Sequence, residues 1–146
     1  MTARGDVRLV VGDWRTLGAD AAAIRHEVFV LEQNVPVAME LDEMDARSLH
    51  AVAYDALGSA LGTARLLPDG HIGRMAVRRA ARSAGIGSRL LQTLMHSAQA
   101  RGDRTVRLNA QRQAEGFYAR HGYVREGAEF LDAGIPHVAM RHDFTP

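Results

Sequence analysis

An apolar stripe on a helical segment that begins at two closely spaced glycines limits the folds available to this chain. In "RSAGIGSRLLQTL", which runs from Arg82 to Leu94, Gly85 and Gly87 precede side chains that are apolar at every third or fourth position. A helix with this spacing presents one apolar face, and a second layer of structure must cover that face. The stripe comprises Ile86, Leu90, Leu91, Leu94, Met95 and Ala98.

The other segments of the chain predict the layer that this helix needs. Alternating or apolar runs predict strands that begin at Val7, His50, Ser59, His71 and Thr105, and two closing strands over 123–132 and 135–144. With further helices over 16–33 and 113–121, the order is β-α-βββ-α-β-α-ββ. This order predicts an α/β (α+β) fold with helices packed on a mixed sheet. The predicted buried face of the first helix comprises Leu17, Ala21, Ile24, Val28 and Leu31.

Composition limits the classes of function. The chain has 146 residues, and we expect residues 1–146 to form one domain. Its 18 Lys and Arg residues nearly balance its 17 Asp and Glu residues, so net charge favours neither a nucleic-acid nor a membrane partner. Because cysteine is absent, disulfides, thiolate metal sites and a cysteine nucleophile are excluded. No apolar run reaches the ~20 residues of a membrane span, so we expect a cytoplasmic protein.

The glycine stretch has two interpretations when it is considered alone. It can be a turn that only reverses the chain. It can also be an anion site, because a helix N-terminus has free N–H groups and glycines let a phosphate approach them closely. Arg82 and Ser88 would then add side-chain donors. The stretch lacks the Gly-Lys-Ser/Thr ending of a P-loop and the full Gly-x-Gly-x-x-Gly pattern of dinucleotide sites.

The segments on both sides of the loop favour the anion site. "RMAV" precedes the loop, and "LNA" and "GFYARHGY" follow the helix. In this order they resemble the GNAT superfamily of acetyl-CoA-dependent acyltransferases, from about the first strand to the last. "IRHEVFVLEQNVP" near the start and "GIPHVAM" near the end are similar to the ElaA-like and YjcF-like bacterial branch of that superfamily.

The resemblance implies where acetyl-CoA or coenzyme A binds. In the mostly antiparallel GNAT sheet two central strands splay apart, and the acyl thioester enters the gap between them. Backbone groups of Met75, Ala76 and Val77 would hold the pantetheine arm, and Asn109 on the next strand would contact it. The resemblance also places Phe117 among the residues that bind coenzyme A. The pyrophosphate would lie on the N–H groups of Arg82, Ser83, Ala84, Gly85, Ile86, Gly87 and Ser88.

Tyr118 matches the tyrosine that often acts as the general acid in this superfamily. A tyrosine hydroxyl has an ordinary pKa of about 10, so it is protonated at neutral pH and can donate to the leaving thiolate. A backbone N–H near Val77 would stabilise the oxyanion. The alternative is that Tyr118 is only a packing aromatic.

The first helix and its exit overlie the acceptor side of a GNAT cleft, which makes Arg25, Phe29, Glu32 and Gln33 candidate substrate contacts. An ordinary core position is the alternative for Phe29. His137 in "GIPHVAM" is a further candidate, although a strand histidine can also fill a core. The other histidines lack ligand spacing with acidic partners, so we expect no metal. An acidic run would attract a cationic amine, with a solvated loop as the alternative. This run comprises Glu40, Asp42, Glu43 and Asp45.

These assignments predict an N-acetyltransferase that moves an acetyl group from acetyl-CoA to a primary amine by direct attack in a ternary complex. The alternatives are a non-catalytic acyl-CoA-binding module of the same fold and an unrelated adenine-nucleotide binder. The acceptor is a small-molecule or protein amine whose identity the sequence does not fix, because variable loops build the acceptor pocket. The resemblance also allows a homodimer.

Overall fold

The computed structural model describes residues 6–145, in which two antiparallel sheets meet along one edge. The strands of the first sheet are β1 (Arg8–Gly12), β2 (Leu49–Tyr54), β3 (Ala60–Leu66) and β4 (Ile72–Val77), in that order. The strands of the second sheet are β5 (Thr105–Gln111), β6 (Val124–Arg125), β7 (Phe130–Asp132) and β8 (Ile135–Asp143). The long β8 lies at the centre of the second sheet and pairs with β5, β6 and β7.

The helices of the described residues are α1 (Trp14–Arg25), α2 (Val37–Glu40), α3 (Ile86–Ala100) and α4 (Glu115–Arg120). A π-helix over His26–Glu32 continues α1, and a 3₁₀ turn over Glu43–Arg47 follows α2. The predicted α/β fold is confirmed, with one difference in the closing segment. Residues 123–132 form two short strands rather than one, because Gly127 turns the chain between them with a φ of +85°.

α1 and α3 cover opposite faces of the first sheet. The predicted stripe of α3 is buried, except for the partly buried Met95, and it packs against Ala51 and Ala53 of β2. Val52, between these two alanines, packs in the cluster that α1 forms on the other face. Because side chains alternate along a strand, β2 contributes to both clusters. The predicted packing of helices on a sheet is therefore confirmed.

The predicted apolar face of the first helix is correct as far as Val28 and wrong at Leu31. Ile24 is 0% exposed and Val28 is 4% exposed, whereas Leu31 is 66% exposed. A π-helix has i→i+5 hydrogen bonds and so more residues per turn than an α-helix. The change of helix type at His26 therefore rotates Leu31 away from the face that Ile24 occupies.

β4 and β5 are the facing edges of the two sheets, and they separate soon after they start. A parallel bridge joins His71 to Arg107, and the Arg107 N–H donates to the Gly70 carbonyl at 3.1 Å. Beyond this bridge, no ladder joins the two strands within residues 6–145. The splayed central strands that we expected are thus present.

A β-bulge distorts β4 inside the splayed region. Thr63 pairs with Ala76, and Arg65 pairs with Gly73, so two residues of β4, 74 and 75, lie opposite one residue of β3. The first of the two is Arg74, whose φ of +49° is uncommon for a residue with a side chain.

We expect Ile24→Ala to lower the free energy of unfolding by about 2–5 kcal/mol, because it leaves a cavity among buried side chains. Leu31→Ala is the matched control and should change it by less than about 0.5 kcal/mol, since Leu31 is exposed. Urea denaturation followed by circular dichroism measures both values. An equal loss in the two variants would place Leu31 in the core and contradict the π-helical register.

Candidate active site

A cleft of about 420 Å³ follows the gap between β4 and β5. Its walls come from the π-helix, the α2 segment, the two strands, the start of α4 and the β7–β8 hairpin. The side chains that line it include Phe29, Gln33, Met39, Met75, Asn109, Gln111, Tyr118, Asp132 and His137. The splayed strands therefore bring together residues from both ends of the chain.

The predicted pantetheine residues lie along the open edge of β4. Met75 lines the cleft, Ala76 is buried on the side of α1, and Val77 ends the strand. Because β5 has turned away at this level, the edge from Gly73 to Val77 has no neighbouring strand among the described residues. A strand edge of this kind offers N–H and C=O groups to an extended ligand.

The glycine loop is exposed and leads directly into α3. Gly85 is the N-cap of this helix and has a φ of +78°, in the left-handed region that favours glycine. A Cβ added at Gly85 would meet no atom within 4 Å, whereas one at Gly87 would lie 3.6 Å from Phe117 and 3.8 Å from Met75. Bare backbone thus faces open space at the start of a 15-residue helix, which is a geometry that suits a phosphate.

Two of the predicted phosphate donors already have partners within the protein. Arg82 donates through Nη2 to the Glu32 carboxylate at 2.7 Å and through Nε to the Val77 carbonyl at 2.9 Å. The Ser88 hydroxyl lies 3.0 Å from Nε2 of His121. Glu32, which we predicted to contact the acceptor, is therefore directed at the glycine loop instead. An anion that binds Arg82 must compete with Glu32.

α4 carries Tyr118 into the cleft. The Tyr118 hydroxyl lies 3.9 Å from the Met75 sulfur, and its ring meets those of Phe117 and Tyr123 edge to face at centroid distances of 5.0 and 6.0 Å. Burial raises the pKa of Tyr118 to about 12. The hydroxyl is therefore protonated at neutral pH, and sulfur is only a weak acceptor for its proton. Tyr118 packs against aromatic rings and also presents a hydroxyl to the cleft.

Arg25 is enclosed by the protein and is not available to a substrate. Its side chain is 1% exposed, and its guanidinium donates to the Glu40 and Asp45 carboxylates and to the Glu40 carbonyl. The prediction that Arg25 contacts the acceptor is therefore wrong. The prediction for Glu40 is wrong for the same reason, because its carboxylate is paired with Arg25 although the residue borders the cleft.

The other charged groups nearby extend this pair into a network. Arg65 donates to Asp42 at 2.7 Å and to Asp45 at 2.9 Å, and Arg74 donates to Asp42 at 3.2 Å. The Arg74 guanidinium also donates to the Glu40 carbonyl at 3.0 Å. We call the network the ion cluster, and it comprises Arg25, Glu40, Asp42, Asp45, Arg65 and Arg74.

The ion cluster contradicts the amine-binding interpretation of the acidic run, and half of the run is buried rather than solvated. Glu40 and Asp45 are 4% and 3% exposed, so this part of the run is not a solvated loop. The hydrogen bond from Arg65 holds the pKa of Asp42 at about 2, so this carboxylate stays ionised and paired. Three guanidinium groups balance three carboxylates, which leaves no net negative charge in the cluster to bind an amine. Asp42 and Glu43 are exposed, and the Asp42 carboxylate is paired with Arg65 and Arg74.

The remaining predicted residues line the cleft. Gln33 at the end of the π-helix accepts a hydrogen bond from Gln111 of β5 at 2.9 Å, which joins the two walls. Asn109 is exposed on β5. His137 of β8 lies opposite Gln111 in the strand register and is 9% exposed.

Sequence analysis missed Arg65, Arg74 and Asp132 as residues of this region. Arg65 had a readable signal, since a single arginine within the otherwise uncharged and mainly apolar "TARLL" indicates a buried ion pair. Arg74 and Asp132 had no such signal in the sequence, because their positions at the cleft depend on the β4 bulge and on the tip of the β7–β8 hairpin, respectively. Across residues 6–145, no group of acidic, histidine or cysteine side chains is arranged to hold a metal ion. No helix in that range is long and apolar enough to cross a membrane.

The fold and the cleft define an acetyltransferase of the GNAT class, and comparison with known proteins shows the family. Residues 15–144 match the family model of the acetyltransferase (GNAT) domain, so the chain belongs to that family. GNAT domains generally bind acetyl-CoA or coenzyme A and act on amines.

Individual relatives place the chain more narrowly. It is 44% identical over 128 residues to the "Uncharacterized N-acetyltransferase YjcF" of Bacillus subtilis strain 168, with 85% of this chain and 91% of that protein covered. Escherichia coli ElaA is similar in structure, with a TM-score of 0.82, 25% identity and coverage of 94% and 99%. An acyl-CoA N-acyltransferase from Pseudomonas aeruginosa has a TM-score of 0.82, 30% identity and coverage of 93% and 99%. The predicted ElaA-like and YjcF-like branch is therefore confirmed.

We expect Glu32→Gln to tighten acetyl-CoA binding about two- to fivefold, because an exposed ion pair worth up to about 1 kcal/mol no longer competes for Arg82. Isothermal titration calorimetry measures the dissociation constant. Glu129→Gln is the matched control, since Glu129 also pairs with an exposed arginine, Arg112, at 2.6 Å. Weaker binding by the Glu32 variant would mean that Glu32 positions Arg82 rather than competing for it.

Proposed function

We propose that this chain acts as one acyltransferase domain that transfers the acetyl group of acetyl-CoA to a primary amine by direct attack in a ternary complex. The observation that carries the proposal is the gap between β4 and β5. The open edge of β4 and the partly buried Tyr118 border this cleft, and the edge leads to the glycine loop at the N-terminus of α3.

The acyl donor is proposed to follow β4 towards the glycine loop. Backbone groups of Met75, Ala76 and Val77 would pair with the pantetheine arm, and Asn109 would contact it from β5. Phe117 closes the space beside Gly87 and borders the same path. The pyrophosphate would lie on the N–H groups of residues 82–88, with Arg82 released from Glu32.

The proposed chemistry needs an oxyanion donor and an acid. A backbone N–H near Val77 would stabilise the negative charge that develops on the carbonyl oxygen. The Tyr118 hydroxyl would donate its proton to the leaving sulfur. Burial raises the pKa of Tyr118 to about 12, so the hydroxyl is protonated at neutral pH and has a proton to donate.

The acceptor is proposed to enter beside Gln33 and His137. Both residues line the cleft, on walls formed by the π-helix and the second sheet. The neutrality of the ion cluster means that acceptor recognition does not rest on Arg25 or Glu40. The proposed acceptor is a small-molecule amine or an exposed protein amine.

Two measurements test the proposal. Acetyl-CoA should bind in isothermal titration, and wild-type protein should release coenzyme A thiol with at least one of four amines: spermidine, free lysine, kanamycin or a lysine-containing peptide. Absence of acetyl-CoA binding would overturn the proposal. Binding without thiol release from any of the four would favour the non-catalytic acyl-CoA-binding module.

We expect Tyr118→Phe to lower kcat about 10²–10³-fold, because the leaving thiolate loses its proton donor. The dissociation constant of acetyl-CoA should change less than threefold, since the aromatic ring remains. Thiol release and calorimetry measure the two quantities. Tyr54→Phe is the control, because this tyrosine bonds to Asp20 at 2.6 Å on the sheet face that packs against α1. Equal losses in kcat and affinity would instead indicate a packing role for Tyr118.

A further inference from the structure

An amine acceptor needs a base before it can attack a thioester. At neutral pH a primary amine with a pKa of about 10.4, as in a lysine side chain, is protonated and has no free lone pair. The proposed function therefore requires a group in the cleft that accepts a proton. Tyr118 does not supply it, because its hydroxyl is already protonated.

Most other ionisable side chains of the cleft are bound in ion pairs. The Glu40 carboxylate binds Arg25, and the Arg65 and Arg74 guanidinium groups bind carboxylates of the ion cluster. The ring of His71 is bonded to Asp69 through Nδ1 alone, at 3.0 Å, and His71 is excluded as the base by its position, because it lies at the closed end of the gap where β4 and β5 meet.

Two groups remain, Asp132 and His137, and both belong to the β7–β8 hairpin. Asp132 is exposed at the tip of the hairpin, where water solvates its carboxylate. A solvated carboxylate is a weaker base than a neutral imidazole. His137 lies deeper, at 9% exposure, in the wall of the same cleft.

The contacts of His137 fix which ring nitrogen carries the proton. Nδ1 lies 2.7 Å from the Ile135 carbonyl, and a carbonyl oxygen can only accept, so Nδ1 is the donor. In the neutral ring Nε2 then carries the lone pair. Within residues 6–145, Nε2 has no hydrogen-bond partner, and it is not among the buried unsatisfied atoms there.

The ring of His137 is also held in place. It stacks on Phe130 of the paired strand β7, with ring centroids 6.0 Å apart and an interplanar angle of 26°. On its other side β5 places Gln111 opposite it, and Gln111 is bonded to Gln33 of the π-helix. A basic nitrogen is thus fixed beside the two residues that join the walls of the cleft.

We propose that His137 is the general base of the reaction, an inference that rests on the proposed function. Nε2 takes one proton from the ammonium, and the freed lone pair forms the bond to the carbonyl carbon of the thioester. The carbon–sulfur bond breaks with its electron pair on sulfur, which takes the Tyr118 proton. The remaining excess proton on nitrogen restores Tyr118, and His137 releases its proton to solvent. The products are an amide, a thiol and one proton.

The test uses the fastest of the four amines and wild-type, His137→Ala and His137→Asn proteins. We expect both variants to lose about 10²–10³-fold in kcat, with the dissociation constant of acetyl-CoA changed less than threefold. Added imidazole should restore part of the kcat of His137→Ala, because it replaces the missing base, and should not restore Tyr118→Phe. His96→Ala, an exposed histidine on α3, is the matched control and should keep full activity.

The outcomes separate this inference from the proposed function. If the wild-type protein turns over, full activity of His137→Ala would overturn only the assignment of His137 as the base. Failure of imidazole to restore activity to His137→Ala would do the same. Wild-type protein that binds acetyl-CoA but acetylates none of the amines would overturn both. A measurement without turnover is the ¹⁵N imidazole spectrum of the wild-type protein. It should show the Nδ1–H form of neutral His137, and an Nε2–H form would contradict the assignment.

Discussion

The cleft exists because β4 separates from β5. The two strands are joined at the His71–Arg107 bridge and then diverge, so each sheet ends in an edge that faces a cleft rather than a partner. Backbone N–H and C=O groups on such an edge need water or a ligand to satisfy them. The glycine loop, α4 and the β7–β8 hairpin are all arranged around this opening. A continuous sheet would have the same helices and no site.

The ion cluster stabilises one side of the opening at a considerable desolvation cost. Arg25 comes from the end of α1, its acidic partners come from the α2 segment and the turn after it, and Arg65 and Arg74 come from β3 and β4. Such a network contributes little net stability compared with an apolar core, but it requires every partner to be present. It therefore fixes the α2 segment, which includes Met39, at the rim of the cleft. Because the charges of the cluster balance, that rim has no net charge.

The helices and the site loop could be predicted from the sequence because local signals determine them. The stripe from Ile86 to Ala98 specifies α3, and Gly85 adopts a conformation that its residue type favours. Leu31 could not be predicted, because the change to a π-helix depends on packing at His26–Glu32. The pairing of Arg25 with carboxylates 15 and 20 residues away could not be predicted either, since charge spacing does not reveal burial. The family was predictable from ordered motifs, whereas the roles assigned to single site residues remain predictions.

The bulge at Arg74 changes which face of the sheet the later residues of β4 occupy. In a regular strand, Ile72 and Ala76 would lie on the same face, because Ala76 is at position i+4 from Ile72 and every second side chain shares a face. Here Ile72 packs on the α3 side and Ala76 on the α1 side, while Met75 packs with the α3 cluster beside Tyr118. The extra residue therefore reverses the alternation of faces in the part of β4 that follows it. If residue 74 paired with Ala64 in a regular ladder, Met75 and Ala76 would exchange faces, and the methionine sulfur would turn away from the tyrosine hydroxyl.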